Sequence, residues 1–273
     1  MFGVDFSFER ATIKQTALSR HIYYMDVIIF KIWRFYFYLR EFFFPQGCSI
    51  CQAELLGINE TWYGLCCSCQ SILEYEINER LAEKACSLCG KPLISEHGKC
   101  LSCRNGEKRS YDRATVLFPY AGKYRALLAA YKFGGNLALG NFFTEKIVEI
   151  MRRGIFPQGV KIVPVPPRPG KIRSSGWDQI EYLAKLLEKR LKGIGAIQVI
   201  RCLKRLPSMS QKELGKENRR VNLLSRIMPV KQAPKISVLI DDVMTTGSTL
   251  DACAAALKKG GSNTVYGLCL FYD

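Results

Sequence analysis

Ser237 to Leu250, Ser-Val-Leu-Ile-Asp-Asp-Val-Met-Thr-Thr-Gly-Ser-Thr-Leu, constrains the fold of this chain more than any other stretch. Val238, Leu239 and Ile240 form the short apolar run of a strand buried on both faces, the habit of parallel sheets. Asp241 and Asp242 end that run abruptly. A brief connector, Val243 and Met244, leads to Thr245, Thr246, Gly247, Ser248 and Thr249, which put hydroxyls and a flexible glycine ahead of a helix expected over Leu250 to Lys259. A helix N-terminus leaves backbone N–H groups unpaired and carries partial positive charge, so a phosphate suits that turn. The carboxylates, at the carboxyl end of a strand and therefore expected to be partly solvated, suit sugar hydroxyls or a magnesium ion held through water. A strand cap and an ordinary N-cap explain such residues singly. Strand, paired acids, connector, Thr-Thr-Gly-Ser-Thr and helix in that order point instead to a binding loop.

The surrounding pattern gives this strand its setting. After Arg113 strands and helices alternate, the signature of an α/β domain with a mostly parallel sheet. Strands are expected over Ala114–Tyr120, Val160–Val165, Ala196–Leu203, Ile236–Asp241 and Thr264–Phe271, with helices over Tyr124–Phe133, Leu137–Arg153 and Trp177–Lys192. In the second of these helices Leu139, Phe142, Phe143, Ile147, Ile150 and Met151 fall on one side, the buried stripe of an amphipathic helix. The second strand runs into Pro164-Val165-Pro166-Pro167-Arg168-Pro169-Gly170, where proline ends pairing and glycine supplies a turn. The polar, basic stretch from Lys204 to Asn222 suits a mobile loop over a ligand, or a helix capped by Ser210.

Ahead of this domain lies a different chemistry. Eight of the twelve cysteines form Cys-x2-Cys pairs: Cys48 and Cys51, Cys66 and Cys69, Cys86 and Cys89, Cys100 and Cys103. Thiolate quartets at this spacing suit tetrahedral zinc, and a module this short has too small a core to hold itself together otherwise. Two structural zinc ions are therefore expected, with sequential quartets as the simplest pairing. Cys67 stands too close to Cys69 to replace Cys66 as a ligand, and His97 reads as a spare loop residue. Cysteines used this way, and the lack of a clean secretory signal in the first forty residues, point to the cytoplasm.

Before the cysteines, Ile28, Ile32, Phe35, Leu39 and Phe42 line one stripe of a helix expected from Val27, with Lys31, Arg34 and Glu41 on another face. Asp26, Lys31, Arg34, Arg40 and Glu41 interrupt the aromatic stretch, so no run of about twenty apolar residues exists to span a bilayer. The stripe suits packing on the rest of the protein, peripheral contact with a membrane surface, or nucleic acid. Met25 stands just before it, and a natural start at Met1 or at Met25 fits the pattern equally. Three divisions follow: a tail and aromatic helix over 1–46, a cysteine module over 47–110 and an α/β domain over 111–273. A net charge of +16 and a pI near 9.4 favour a polyanionic partner.

The four cysteine pairs, Tyr131-Lys132-Phe133, Val163-Pro164-Val165-Pro166, Arg173-x2-Gly176-Trp177-Asp178-Gln179, Ser210-Gln211 with Arg219-Arg220-x-Asn222, and the Asp241-Asp242 motif together resemble the ComF family of competence-related proteins. Gly-Trp-Asp-Gln departs from the family's usual Gly-Phe-Asn-Gln but keeps an aromatic and a polar group. The resemblance implies a zinc module ahead of a type I phosphoribosyltransferase-like domain that binds phosphoribosyl pyrophosphate (PRPP) with Mg2+. It implies that Asp241 and Asp242 hold the ribose hydroxyls, and that Thr245, Thr246, Gly247, Ser248 and Thr249 hold the 5-phosphate, with Val243 and Met244 completing the loop. Lys132 and Arg168 or Arg173 become candidates for the pyrophosphate. Asp241, Asp242, Lys132 and Arg173 would carry any catalysis. The implied role is a phosphoribosyltransferase of unassigned acceptor linked to DNA uptake, with other uptake proteins and single-stranded DNA as candidate partners. The alternative is a non-enzymatic PRPP sensor or single-stranded nucleic-acid binder on the same fold.

Overall fold

The computed structural model describes residues 46–106, 108–192, 197–207 and 226–273. The expected N-terminal aromatic helix, and most of the expected loop between Lys204 and Asn222, lie outside the described residues. Along the chain come α1 (Ile58–Tyr63), α2 (Cys67–Ala82), α3 (Leu101–Asn105), β1 (Arg113–Pro119), α4 (Gly122–Lys132) and α5 (Ala138–Arg152). There follow β2 (Lys161–Pro164), α6 (Lys171–Ser175), α7 (Gln179–Leu191), β3 (Leu203–Arg205), β4 (Ile227–Pro229), β5 (Ile236–Met244), α8 (Ser248–Lys259) and β6 (Thr264–Tyr272).

Four strands form a parallel sheet in the order β1-β6-β5-β2. Both faces are covered, as the unbroken apolar run of β5 requires. Because successive side chains alternate across a strand, Val238 and Ile240 pack with Leu268 and Leu270 against α5 and α7, in a cluster that includes Phe142, Phe143, Leu183 and Leu187. Leu239 and Cys269 face the other way, toward Leu250, Cys253 and Leu257 of α8 and the β3–β4 pair. Phe142, Phe143, Leu183 and Leu257 are essentially fully buried, each contributing roughly 1.5–3 kcal/mol of apolar burial. The α5 stripe is the one the sequence periodicity gives.

The cysteine module is packed onto this sheet within one compact unit, 47–273. Cys48, Cys69, Leu65, Leu73 and Ile77 join the α5–α7 side of the core, while Cys86 and Cys89 join the α8 side. Polar struts reinforce the packing. Buried Lys146 on α5 reaches Glu74 on α2 at 2.7 Å, and Arg80 on α2 donates to the Gly90 carbonyl while lying 5.6 Å from the Tyr272 ring centroid.

Three expectations need correcting. The strand over Ala196–Leu203 is reduced to one parallel bridge, Val199 with Ile162, while Leu203–Arg205 pairs antiparallel with Ile227–Pro229. Its would-be neighbour β2 stops at Pro164 because Pro164, Pro166 and Pro167 lack N–H donors to extend a ladder. The helix expected from Trp177 starts at Gln179 instead, where Asp178 caps it by accepting from the N–H groups of Ile180 and Glu181, both at 3.0 Å. The motif strand does not end at Asp241. It continues to Met244, since β6 extends alongside it and pairs Asp241 with Cys269, Val243 with Phe271 and Met244 with Tyr272.

Candidate functional site

The extra length of β5 places both acids inside the sheet, so the partial solvation expected of them is not found: Asp241 is 9% exposed and Asp242 6%. Helix α4 carries Lys132 to Asp242, where its Nζ lies 2.6 Å from Oδ2, and Gln179 at the start of α7 donates to the same oxygen at 2.6 Å. Oδ1 of Asp242 accepts the Val243 N–H at 2.9 Å. Burial pushes the Asp242 carboxyl up, but the Lys132 ammonium, by charge and hydrogen bond, and the Gln179 amide outweigh it and hold the group below the ordinary carboxylate range. Among the described residues no cation hydrogen-bonds or ion-pairs with Asp241, and the Lys132 charge acts on it only weakly. Burial first, and then the Asp242 charge, raise its carboxyl well above the ordinary range, and its Oδ1 accepts the Asp242 N–H at 2.9 Å.

A second set of bonds locks this corner. Tyr131, completely buried, donates its hydroxyl to the Gln179 carbonyl at 2.7 Å and meets Trp177 edge-on with ring centroids 5.7 Å apart. Lys171 donates to Asp178 at 2.6 Å and to the Gln179 side-chain oxygen. The motif residues Tyr131, Lys132, Trp177, Asp178 and Gln179, distant in sequence, thus converge on Asp242.

Beyond the acids the chain turns into α8. Residues Thr245 to Leu250, with Asp241, Val243, Met244 and Cys269, line a recess of about 30 Å³, room for one small group. Gly247 holds φ of 73°, and a Cβ there would come within 3.2 Å of the Tyr111 hydroxyl, so glycine is needed on two counts. Thr246 and Ser248 hydroxyls bond each other at 2.8 Å, and Thr245 and Thr246 remain exposed. Hydroxyls thus stand beside the α8 N-terminus, the kind of helix end that suits an anion.

Arg168 and Arg173 occupy a different place from Lys132. With Lys204 and Arg205 of β3 they line a cavity of about 470 Å³, whose other described walls include Pro166, Pro167 and Ile172. Among the described residues lining it there is no carboxylate. Burial, and then the Arg168 charge, lower the Arg205 pKa, while Asp241 acts in the opposite sense. Lys204 and Arg205 gave no sequence signal beyond a short basic run, and Gln179 was visible only as part of a motif.

The two cysteine groups are built alike. In each, a Cys-x2-Cys turn closed by an isolated bridge, Gly47 with Glu54 or Ala85 with Pro92, meets a pair at a helix N-terminus, where Cys66 immediately precedes α2 and Cys100 immediately precedes α3. The quartets are sequential, Cys48, Cys51, Cys66, Cys69 and Cys86, Cys89, Cys100, Cys103, with all sulfurs of a group within 4.8 Å of one another. Cys67 and His97 are in neither. The Cys51–Cys66 and Cys89–Cys100 separations are 3.6 Å and 3.7 Å. A tetrahedral ion with bonds of about 2.3 Å to sulfur needs edges of roughly 3.8 Å, so either group could hold zinc. Burial raises the Cys48 and Cys86 thiols, but backbone N–H groups, led by Cys51 for the first and Cys100 for the second, more than offset it and bring them down to about 7 and about 6. Such N–H groups stabilise thiolates, the form a metal takes.

Comparison with known proteins agrees with this arrangement. The chain is 26% identical over 205 residues to competence protein ComFC of Streptococcus pneumoniae, covering 74% of this chain and 84% of that protein. It is 25% identical over 227 residues to competence protein F of Haemophilus influenzae, covering 80% and 93%. The chain is thus similar along most of its length to competence proteins. The DNA utilization protein YhgH of Escherichia coli O157:H7 is 25% identical over 234 residues, 83% of this chain and 96% of YhgH. No family model matches the chain. Among the described residues no helix is long and apolar enough to cross a membrane.

Proposed function

We propose that this chain is a zinc-containing, PRPP-binding phosphoribosyltransferase-like protein that serves DNA uptake. The observation that carries the reading is the continuity of buried acids, small polar recess and helix N-terminus along one strand–loop–helix unit, Asp241 to Leu250. In this reading the recess takes the 5-phosphate and the two acids take the ribose hydroxyls; the same acids would help hold Mg2+, which would supply positive charge toward the pyrophosphate when PRPP is bound. Arg168 and Arg173, joined by Lys204 and Arg205, supply positive charge for the departing pyrophosphate, which counts most where water is excluded. Transfer would break the bond from the anomeric carbon to pyrophosphate and form one to an acceptor. Lys132 acts on the chemistry through Asp242, whose orientation and charge it holds.

Each cysteine quartet would hold one zinc whose role is structural, since four thiolates leave no open position. The names of the relatives, competence and DNA utilization proteins, support the link to DNA uptake. A net charge of +16 supports a second reading, in which the same fold binds PRPP and single-stranded DNA without turnover. Isothermal titration with PRPP and magnesium tests the common core of both readings. Binding that requires both supports it, and no binding by folded, zinc-loaded protein would reject it. Pyrophosphate release then separates enzyme from sensor.

A further inference from the structure

The segment between the last cysteine pair and the sheet, residues 109–114, does more than connect. On one side Ala114 donates its N–H to the Leu88 carbonyl, inside the Cys86–Cys89 turn, at 2.7 Å. The contact is close because Gly90 holds φ of 73° and a Cβ there would fall 2.3 Å from the Ala114 carbonyl oxygen. On the other side Arg109 donates to the Thr246 carbonyl at 3.0 Å, and its guanidinium lies 3.8 Å from Asp251 in the first turn of α8. The Ser110 N–H donates to Asp251 at 2.6 Å. Between these anchors sits Tyr111, 2% exposed, packed in one cluster with Cys86, Cys89, Met244 and Leu250, its hydroxyl against Gly247.

We infer that Arg109 and Tyr111 are positioning residues that couple the second cysteine quartet to the phosphate-binding loop, so that metal there and a sugar phosphate at Thr245–Thr249 stabilise each other. The inference rests on the reading of that loop as a phosphate site and of the quartet as a zinc site. The physical basis is continuity. The Cys86–Cys89 turn fixes Ala114 and packs on Tyr111, and Tyr111 with Arg109 fixes the backbone of Thr246 and Gly247. Loss of the metal frees the turn and removes the wall behind the loop. The first quartet packs on the other side of the sheet with α5 and α7, so it lacks this contact. Coupling of two binding equilibria is reciprocal, so the ligand must affect metal retention by the same factor that the metal affects ligand affinity.

The test uses the full chain loaded with zinc and ribose 5-phosphate as the probe, which lacks the pyrophosphate and so reports on the loop. In wild-type protein, ribose 5-phosphate should slow the chelator-driven loss of one of the two zinc ions per chain several-fold and leave the other unchanged. The variant Arg109→Ala with Tyr111→Phe keeps the buried ring and all eight cysteines. It should keep both zinc ions and the wild-type circular dichroism, bind ribose 5-phosphate about tenfold more weakly, and lose the ligand effect on zinc release at saturating ligand. Arg109→Lys should restore part of it. Wild-type protein that binds ribose 5-phosphate with no change in zinc release overturns the coupling, as does a folded double variant that retains the full effect. Wild-type protein that binds PRPP but not ribose 5-phosphate also overturns it. If neither ligand binds, the phosphoribosyl reading itself falls and this inference with it.

Discussion

Asp241 and Asp242 are neighbours on β5, yet their side chains enter opposite sides of the sheet. Asp242 meets Lys132 and Gln179 on the α5–α7 side, whereas Asp241 sits beside Cys269, in the cluster with α8, and feels the Arg205 charge from that side. The strand's alternation splits a motif that reads as a pair into one acid with a direct ion pair and one that, among the described residues, has none.

Stability against pH should separate them. The folded-state pKa of Asp242 is lowered, so its contribution is present above the ordinary carboxylate value of about 4 and is lost as pH falls through the lower native value. Asp242→Asn leaves Lys132 half-buried without its counter-ion and should cost about 1–3 kcal/mol at neutral pH, with the loss shrinking in strong acid. The pKa of Asp241 is raised, so its contribution is full below about 4 and disappears as pH rises through the native value. Asp241→Asn should match wild type at low pH and be the more stable of the two as pH rises. Urea unfolding across pH checks both, and a destabilised Asp241→Asn at neutral pH would show a compensating partner for that acid.

Gly247→Ala should weaken sugar-phosphate binding more than it harms the fold. A side chain at φ of 73° strains the backbone by roughly 1–2 kcal/mol, and the new methyl presses on the Tyr111 hydroxyl. The α8 core, with Leu250, Cys253 and Leu257 buried, stays in place. A drop of about tenfold or more in ribose 5-phosphate affinity, with a melting temperature shifted by only a few degrees, is the expected outcome of calorimetry on one sample. Unchanged affinity would mean that the recess is not the phosphate site.

The sequence made the parallel sheet, the α5 stripe, the cysteine pairs and the strand–turn–helix around Asp241 legible, because each follows from a local rule: alternation, helical period, ligand spacing, helix-terminus chemistry. What it hid was tertiary. That the acids are buried depends on β6 extending alongside β5 to Tyr272. That Arg168 and Arg173 stand with Arg205 while Lys132 stands with Asp242 depends on where α4 and the β3–β4 pair meet the sheet. The quartets being sequential was the simplest of several pairings in the sequence, and only the folded chain shows which sulfurs converge.

Metal content is a separate prediction. Protein purified under reducing conditions should contain two zinc ions per chain by elemental analysis, one for each quartet. Structural zinc contributes roughly 10–16 kcal/mol in small thiolate modules at neutral pH. Chelation should therefore loosen the cysteine module. Because Cys86 and Cys89 also belong to the α8-side core, the α/β domain should lose stability as well instead of standing untouched. A domain that melts at the same temperature with and without metal would contradict this.

Single-stranded DNA binding, if the +16 charge serves it, must follow counter-ion release. Each phosphate neutralised should steepen log affinity against log salt by about 0.7, so a site using several cations loses affinity sharply between low and physiological salt. Fluorescence anisotropy with an oligothymidine at a series of salt concentrations reads that slope. A flat response, or no binding at low ionic strength, removes the nucleic-acid reading and leaves the PRPP site unaffected.

The last prediction concerns Arg205, which pairs with no carboxylate through any hydrogen bond or ion pair among the described residues and is half-buried near Arg168. Desolvating one guanidinium beside another is unfavourable, so the position works against folding unless an anion enters the cavity. Arg205→Met keeps much of the side-chain volume and removes the charge. It should raise the melting temperature or leave it unchanged while weakening the binding of inorganic pyrophosphate about tenfold, a loss of about 1.4 kcal/mol. Ribose 5-phosphate, which lacks the pyrophosphate, should bind as before. Arg168→Met should act in the same direction, and the two effects should be non-additive because removing either arginine lowers the cost of keeping the other. A destabilised Arg205→Met with normal pyrophosphate affinity would make the arginine a structural residue, and the cationic cavity would then lose its place in the site.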